Sequence, residues 1–184
     1  MMERDIRKII IGVTGASHTE KCGLRALEEA KALGKAIVEA GAVLLIPSKS
    51  GFPLWVSMGV EEAGGITIAL SPAKDETEHD TLQLPKDFVS VLLYTGLGES
   101  GRDILLSRMS DGLIVGCGNA GSLREASIAM TEGSLVGVLK GDWHTDEEIT
   151  ALLTESPESY KDKIFFEESV AELTKHLLKR IQDK

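Results

Sequence analysis

Short runs of apolar residues alternate along the chain with longer stretches whose apolar residues recur at helical spacing. The runs predict strands at residues 8–15, 42–46, 65–70, 88–94, 112–115, 135–139 and 164–166. The stretches between them predict helices at residues 24–41, 54–63, 100–109, 122–132, 145–153 and 170–181. Residues 71–86 show neither period and carry the acidic string DETEHD, so we expect a solvated loop there.

The predicted strands are apolar throughout rather than at every second position, which is typical of a parallel sheet covered on both faces. We therefore expect an α/β fold: a single-domain, Rossmann-like, mostly parallel sheet of about six or seven strands with helices on both faces, spanning residues 1–184. In such sheets, ligands bind beyond the carboxyl ends of the strands, where the winding direction reverses.

Four polar or glycine-rich loops follow the predicted strands and would meet at that edge of the sheet. They are Gly15-Ala16-Ser17, Ser48-Lys49-Ser50-Gly51, Thr95-Gly96-Leu97-Gly98 and the segment 116–121. Together they predict a pocket. Ser17 has two interpretations, since it could cap a helix together with Glu20 or contact a ligand.

Composition places the chain among ordinary globular proteins, with 42% hydrophobic and 27% charged residues. The apolar runs fall far short of the roughly 20 residues that span a bilayer, so no membrane association is expected. The charged start MMERDIR is not typical of a secretory signal. Cys22 and Cys117 are too few for a disulfide framework and indicate a reduced compartment. These features predict a cytoplasmic protein.

The charge balance argues against nucleic acid as a partner. The formal net charge is −9, and lysines and arginines are scattered along the chain rather than clustered. A small anionic ligand is compatible with this charge, because backbone amides can hold an anion locally.

The segment GCGNAGSLRE, residues 116–125, leads from a strand into a helix and has two interpretations. Ser122 and Glu125 could form a capping box that satisfies the first amides of the helix. Alternatively, Gly118 and Gly121 could let those amides approach a phosphate group, with Ser122 donating to it. The nearby segment TGLGESGR supplies Arg102, and a guanidinium beside such amides favours an anion site.

The stretch GRDILLSRMSDGLIVGCGNAGSLREA resembles the motif of the Lonely Guy (LOG) family, in which an arginine and an apolar strand precede P-G-G-x-G-T-x-x-E. The positions that match the motif are Arg102, Asp111, Gly118, Gly121, Ser122 and Glu125. The segment TGLGESGR is still more similar to a sister branch, the molybdenum-cofactor-carrier-like proteins. The resemblance covers about residues 8 to 140.

The resemblance implies hydrolysis of the N-glycosidic bond of nucleoside 5′-monophosphates, with Arg102 and Glu125 as catalytic residues at the ribose. It further implies ligand or phosphate contacts from the loops, at Gly15, Ser17, Thr95, Gly96, Gly118, Asn119, Ala120, Gly121 and Ser122. Family members commonly dimerise, so a homodimer or higher homo-oligomer is expected. No metal and no certain cofactor is implied.

The sequence departs from the family at two loops. The second loop reads PSKSGFPLW instead of a glycine-rich segment, and Cys117 and Asn119 replace a proline and a glycine. Lys49 in the second loop could contact a phosphate instead. These changes favour an alternative to hydrolysis: a non-catalytic carrier or sensor of a nucleotide, a pterin or the molybdenum cofactor.

Overall fold

The computed structural model describes residues 7–183, so most of the charged start MMERDIR lies outside the described residues. Seven parallel strands form one sheet: β1 (Ile10–Thr14), β2 (Val43–Pro47), β3 (Thr67–Ser71), β4 (Val91–Tyr94), β5 (Gly112–Val115), β6 (Val136–Leu139) and β7 (Ile164–Glu167). The predicted parallel α/β fold is confirmed.

Eight helices in the described part of the chain connect and cover the strands of this sheet. They are α1 (Ala26–Glu39), α2 (Phe52–Glu62), α3 (Glu76–Thr81), α4 (Gly98–Met109), α5 (Ala120–Thr131), α6 (Thr145–Thr154), α7 (Glu158–Lys161) and α8 (Val170–Gln182). Within residues 7–183, no helix is long and apolar enough to cross a membrane.

The order of the strands places the winding reversal at the centre of the sheet. The order is β4-β3-β2-β1-β5-β6-β7, so the chain moves outward from β1 to β4 and then returns to the other side of β1. Thr14 at the end of β1 is in register with Val115 at the end of β5. The crevice in which Rossmann-like sheets bind ligands therefore lies beyond Thr14 and Val115.

The core has two layers, one on each face of the sheet, because successive side chains of a strand point to opposite faces. Leu44 packs in the layer that contains Leu33 of α1, whereas its neighbour Leu45 packs in the layer that contains Leu106 of α4. Burial on both faces explains why the strands are apolar throughout. The strand β5, which leads to the candidate site, is buried along its whole length.

The prediction of a loop at residues 71–86 is wrong in part, because α3 forms there. Asp75 caps α3 by accepting a hydrogen bond from the Glu78 amide at 2.9 Å. The helix buries one of its side chains, His79, and therefore shows no apolar period. The interpretation of Ser17 as a helix cap is also wrong, since α1 begins only at Ala26.

Candidate functional site

A buried carboxylate, that of Glu125, lies at the winding reversal of the sheet. Glu125 is on the second turn of α5, and its side chain is 1% exposed. Its Oε2 atom accepts hydrogen bonds from the Thr14 hydroxyl at the end of β1 and from Lys49 Nζ, at 3.0 Å, in the loop after β2. Three neighbouring parts of the sheet edge therefore converge on one carboxylate.

The Arg102 guanidinium enters the same site from α4. Its side chain is 1% exposed, and its Nη2 atom lies 3.8 Å from Oε1 of Glu125. Asp103 holds the guanidinium in place, because Oδ1 of Asp103 accepts from Nε at 3.1 Å and from Nη2 at 2.9 Å. Glu99, one turn earlier in α4, also accepts from Nη2.

A second arginine completes the cluster of charges. Oδ2 of Asp103 accepts from Nε and Nη2 of Arg124, at 2.9 and 2.6 Å. The cluster thus contains three cations and three carboxylates, which are Lys49, Arg102, Arg124, Glu99, Asp103 and Glu125. Formal charge balance allows Arg102, Asp103 and Glu125 to be buried, whereas an isolated buried charge would be very costly; Glu99 and Arg124 are about half exposed.

Two polar atoms of this cluster are buried without a hydrogen-bond partner among the described residues. They are Nη1 of Arg102, which is a donor, and Oε1 of Glu125, which is an acceptor when ionised. A buried polar atom without a partner costs about 1–3 kcal/mol, so native proteins rarely leave one without a reason. A ligand hydroxyl or a water could satisfy both atoms, since it accepts one hydrogen bond and donates another.

Burial raises the pKa of the Glu125 carboxyl above its ordinary value of 4.5, because the charged form loses its hydration. Lys49, the Thr14 hydroxyl and Arg102 act in the opposite direction, whereas Asp103 adds to the increase. The folded protein therefore binds this proton more tightly than the unfolded chain does.

The raised pKa predicts how Glu125→Gln changes stability with pH. Below pH 4.5, Glu125 of the wild-type protein is protonated in both the folded and the unfolded state. Burial of the carboxyl therefore carries no charge penalty at that pH. The wild-type protein then loses stability as the pH rises from 4.5 through the pKa of Glu125 in the folded state. The loss is about 1.4 kcal/mol for each tenfold by which folding weakens Glu125 as an acid. We expect the stability of Glu125→Gln relative to wild type to rise between pH 4.5 and 8, as measured by urea denaturation. Glu132→Gln, at the other end of α5, serves as the control. If the stability of Glu125→Gln relative to wild type stays constant or falls as the pH rises, the raised pKa of Glu125 is contradicted.

Asn119, not Ser122, caps α5. The helix begins at Ala120, Oδ1 of Asn119 accepts from the Gly121 amide at 3.0 Å, and Oγ of Ser122 accepts from the Asn119 amide at 3.4 Å. The predicted capping box between Ser122 and Glu125 is therefore wrong. Asparagine is among the strongest N-cap residues, and its presence leaves the Glu125 carboxylate available to Lys49 and Arg102.

The amides of the loop before α5 already donate to side chains of the protein. The Gly118 amide donates to Oγ1 of Thr145 at 2.8 Å, and a Cβ atom at Gly118 would lie 2.8 Å from Cβ of Ser122. Thr145 is the first residue of α6, whose N-cap is His144. A phosphate at this loop would have to replace neutral acceptors, which a charged oxygen can do because charge-assisted hydrogen bonds are stronger.

A disulfide joins the loops after β1 and β5, which corrects the expectation of two reduced cysteines. Cys22 and Cys117 are bonded, with their Cα atoms 5.5 Å apart. The Ala16 amide also donates to the Cys117 carbonyl at 2.6 Å. Gly15 is buried at the same place, where a Cβ atom would lie 2.8 Å from that carbonyl oxygen. Ser17 is half-buried and begins the segment that leads to Cys22.

Thr95 and Gly96 make no hydrogen bond to this cluster within residues 7–183. They follow β4, which is three strands from β1, and neighbouring strands are about 4.8 Å apart. The Thr95 hydroxyl donates to the Ser71 carbonyl at 2.7 Å and so ties the ends of β3 and β4 together. The structure brings Arg102 and Glu125 together but not with Thr95.

Sequence reasoning did not identify Thr14, Asp103 and Arg124 as parts of the site. Thr14 is the last residue of an apolar strand, and Asp103 and Arg124 lie next to Arg102 and Glu125 at positions that the motif does not specify. An available signal was the polar residue at the end of β1, since residues at the carboxyl ends of parallel strands face the ligand crevice.

Comparisons with known proteins show the family of the chain. A family model described as the SLOG cluster4 family matches residues 8–174. An uncharacterized protein of Archaeoglobus fulgidus is 31% identical over 130 residues, which are 71% of this chain and 79% of that protein.

Solved structures of similar fold cover nearly the whole chain. The molybdenum cofactor binding protein of Rippkaea orientalis is 29% identical with a TM-score of 0.74, and the match covers 96% of this chain and 99% of that protein. The molybdenum cofactor carrier protein of Chlamydomonas reinhardtii is 27% identical with a TM-score of 0.75, covering 97% and 100%. The resemblance to the Lonely Guy superfamily and its cofactor-carrier branch is confirmed.

Proposed function

Because the chain belongs to the SLOG cluster4 family, we propose that it binds a phosphorylated nucleotide- or pterin-type ligand at the carboxyl edge of its sheet and acts as a carrier. The observation that carries the proposal is the buried pair of Arg102 and Glu125, with one donor and one acceptor left without partners at the winding reversal. A site of this kind fits a ligand that presents a hydroxyl group.

Each part of the ligand has a matching part of the site in this proposal. A ribose or pterin-side hydroxyl would donate to Oε1 of Glu125 and accept from Nη1 of Arg102. The phosphate would lie at the mouth of the crevice near Ser122 and the loop 118–121, at the positive end of the α5 dipole. Gly15 and Ser17 would border the ligand from the loop after β1.

The state of the Glu125 carboxylate favours a carrier over a hydrolase. Its Oε2 atom is occupied by Lys49 and by the Thr14 hydroxyl. In the ligand-free protein this ammonium reduces the negative charge that would stabilise an oxocarbenium-like transition state or activate a water, and the Thr14 hydroxyl and Arg102 lower the pKa of the carboxyl independently of Lys49. The names of the two cofactor-binding relatives support the same choice, since those proteins are described by what they bind or carry.

Hydrolysis of a nucleoside 5′-monophosphate is the second candidate function, and one observation favours it. Oε1 of Glu125 has no partner and faces the Arg102 guanidinium at 3.8 Å, so it could accept a proton from a bound water. That water would add to the anomeric carbon as the glycosidic C–N bond breaks, and the base would leave with a proton.

One experiment tests the proposed binding and separates the two candidates. The four common nucleoside 5′-monophosphates and the molybdenum cofactor are titrated into the protein by calorimetry, and free base is measured by chromatography. We expect saturable binding without base release, and weaker binding of these ligands in Glu125→Gln. Losing a charged acceptor of the ligand hydroxyl costs about 1.5–3 kcal/mol, which outweighs the gain of about 1.4 kcal/mol when its repulsion of the phosphate is removed. Glu132→Gln is the matched control and is expected to bind like wild type.

The outcomes of this experiment are distinct. Base release that disappears in Glu125→Gln would establish the hydrolase instead of the carrier. Failure of every ligand in this panel to bind would refute the proposed function.

A further inference from the structure

Two cations of the charge cluster reach the solvent: Arg124, whose side chain is 49% exposed and pairs with Asp103, and Lys49, whose side chain is 15% exposed and pairs with Glu125. Lys49 lies in the loop directly after β2, next to β1, whereas Glu125 and Arg102 are 1% exposed. Lys49 is therefore the partly exposed cation that contacts the buried carboxylate. It is more accessible to an entering anion than the buried guanidinium of Arg102 is.

The other donors of the site bond to partners inside the protein, except Nη1 of Arg102, which is buried without a partner within residues 7–183. Arg102 is held by Asp103 and Glu99, and Arg124 makes two hydrogen bonds to Asp103. The amides of Gly118 and Gly121 donate to side-chain oxygens. Lys49, in contrast, makes one salt bridge within residues 7–183, to Oε2 of Glu125 at 3.0 Å.

We propose that Lys49 is the anion anchor of this site: its ammonium leaves Glu125 when a phosphate group enters the crevice and pairs with that phosphate instead. This inference rests on the proposed function, because it assigns one ligand group to one side chain of the same site. Glu125 thereby competes with the ligand for Lys49. The carboxylate is then released toward the ligand hydroxyl when the phosphate arrives.

The chemistry of the lysine side chain suits this exchange. Its ammonium is a compact charge with three donors on a flexible stem, so it can turn from one acceptor to another without a fixed geometry. Ser122, where the phosphate is proposed to lie, precedes Glu125 by three residues, about 4.5 Å along the helix axis. A phosphate dianion there attracts the ammonium more strongly than a carboxylate monoanion does.

The exchange predicts opposite effects of two charge-removing variants on inorganic phosphate binding, measured by calorimetry. Lys49→Met keeps the aliphatic stem and removes the charge, so we expect phosphate binding to weaken at least about tenfold. Glu125→Gln removes both the competitor and a repulsive charge, so we expect binding to tighten by about tenfold. Because the lost repulsion alone would also tighten binding in Glu125→Gln, the role of Lys49 is tested by the weaker binding expected in Lys49→Met.

Three further variants make the test independent of folding defects. Lys49→Arg retains the charge and is expected to bind within about threefold of wild type. Lys74→Met removes an exposed lysine from the loop after β3 and is the matched control. The double variant Lys49→Met/Glu125→Gln has no unpaired charge at this position and is expected to bind phosphate at least about tenfold more weakly than Glu125→Gln alone.

The results distinguish this inference from the proposed function. Wild-type affinity for phosphate in Lys49→Met, or weaker binding in Glu125→Gln, would overturn the role of Lys49. A wild-type protein that binds 5′-AMP but not inorganic phosphate would also overturn it and would leave the proposed function standing. A protein that binds neither phosphate nor any ligand of the panel would refute both.

Discussion

Arg102→Met is expected to lower the free energy of unfolding by about 3–5 kcal/mol, because it takes one of two cations from each of two buried carboxylates, Asp103 and Glu125. Arg102 is 1% exposed, and its guanidinium lies between Asp103 and Glu125, which are equally buried. Methionine retains most of the volume of the side chain, so the effect reports on charge rather than on a cavity. Urea denaturation measures the change.

Arg108→Met is the matched control on the same helix. Arg108 is 65% exposed and pairs with Glu132 at the surface, where such pairs contribute about 1 kcal/mol or less. The argument for a buried, mutually dependent charge cluster fails if Arg102→Met is no more destabilising than Arg108→Met. A large loss in the first variant alone supports it.

Reduction of the disulfide between Cys22 and Cys117 is expected to produce the second large effect. The two cysteines are 95 residues apart in sequence, and the chain-entropy model gives a contribution of about 4–5 kcal/mol for closing a loop of that length. For a chain of this size, that corresponds to a fall in Tm of about 10–20 °C. Thermal unfolding with and without a phosphine reductant measures it.

The double variant Cys22→Ser/Cys117→Ser supplies the control for this measurement. It is expected to unfold near the temperature of the reduced wild-type protein and to show no response to reductant. Equal melting temperatures of the wild type with and without reductant would show that the two sulfurs are not linked in solution. That result would agree with the two reduced cysteines expected from the sequence alone.

Periodicity was sufficient to predict the fold because nearly every strand is buried on both faces. The apolar runs at 42–46 and 112–115 lie at the centre of the sheet, and their boundaries agree with β2 and β5 within one residue. The sequence did not predict the helix α3, because that helix buries almost no apolar surface. It lies at the surface and buries only His79, so its sequence carries acidic residues rather than an apolar stripe.

The candidate site could be predicted only where one motif contained the relevant residues. Arg102 and Glu125 fall on matched motif positions, and the structure places their side chains together. The partners of Glu125 come from distant parts of the chain, since Lys49 precedes it by 76 residues and Thr14 by 111. Their proximity depends on the strand order around β1, which no local spacing encodes.

The cap of α5 shows how a local rule can fail when two residues compete for one role. Ser122 and Glu125 satisfy the capping-box spacing, but Asn119 occupies the N-cap position and bonds the first amides itself. As a result, Glu125 is turned toward the sheet rather than toward the helix end. Asn119, which stands where the family motif has a glycine, therefore leaves the Glu125 carboxylate available to the charge cluster.

Mapping the ligand on the protein by amide and arginine NMR tests the central claim most directly. Uniformly ¹⁵N-labelled protein is titrated with whichever panel ligand binds, beginning with 5′-AMP. We expect the largest shifts at Gly118, Ser122 and the Nε–H of Arg102. Shifts confined to another surface, such as the open groove between α1 and α8 lined by Ala36 and Leu178, would contradict the account.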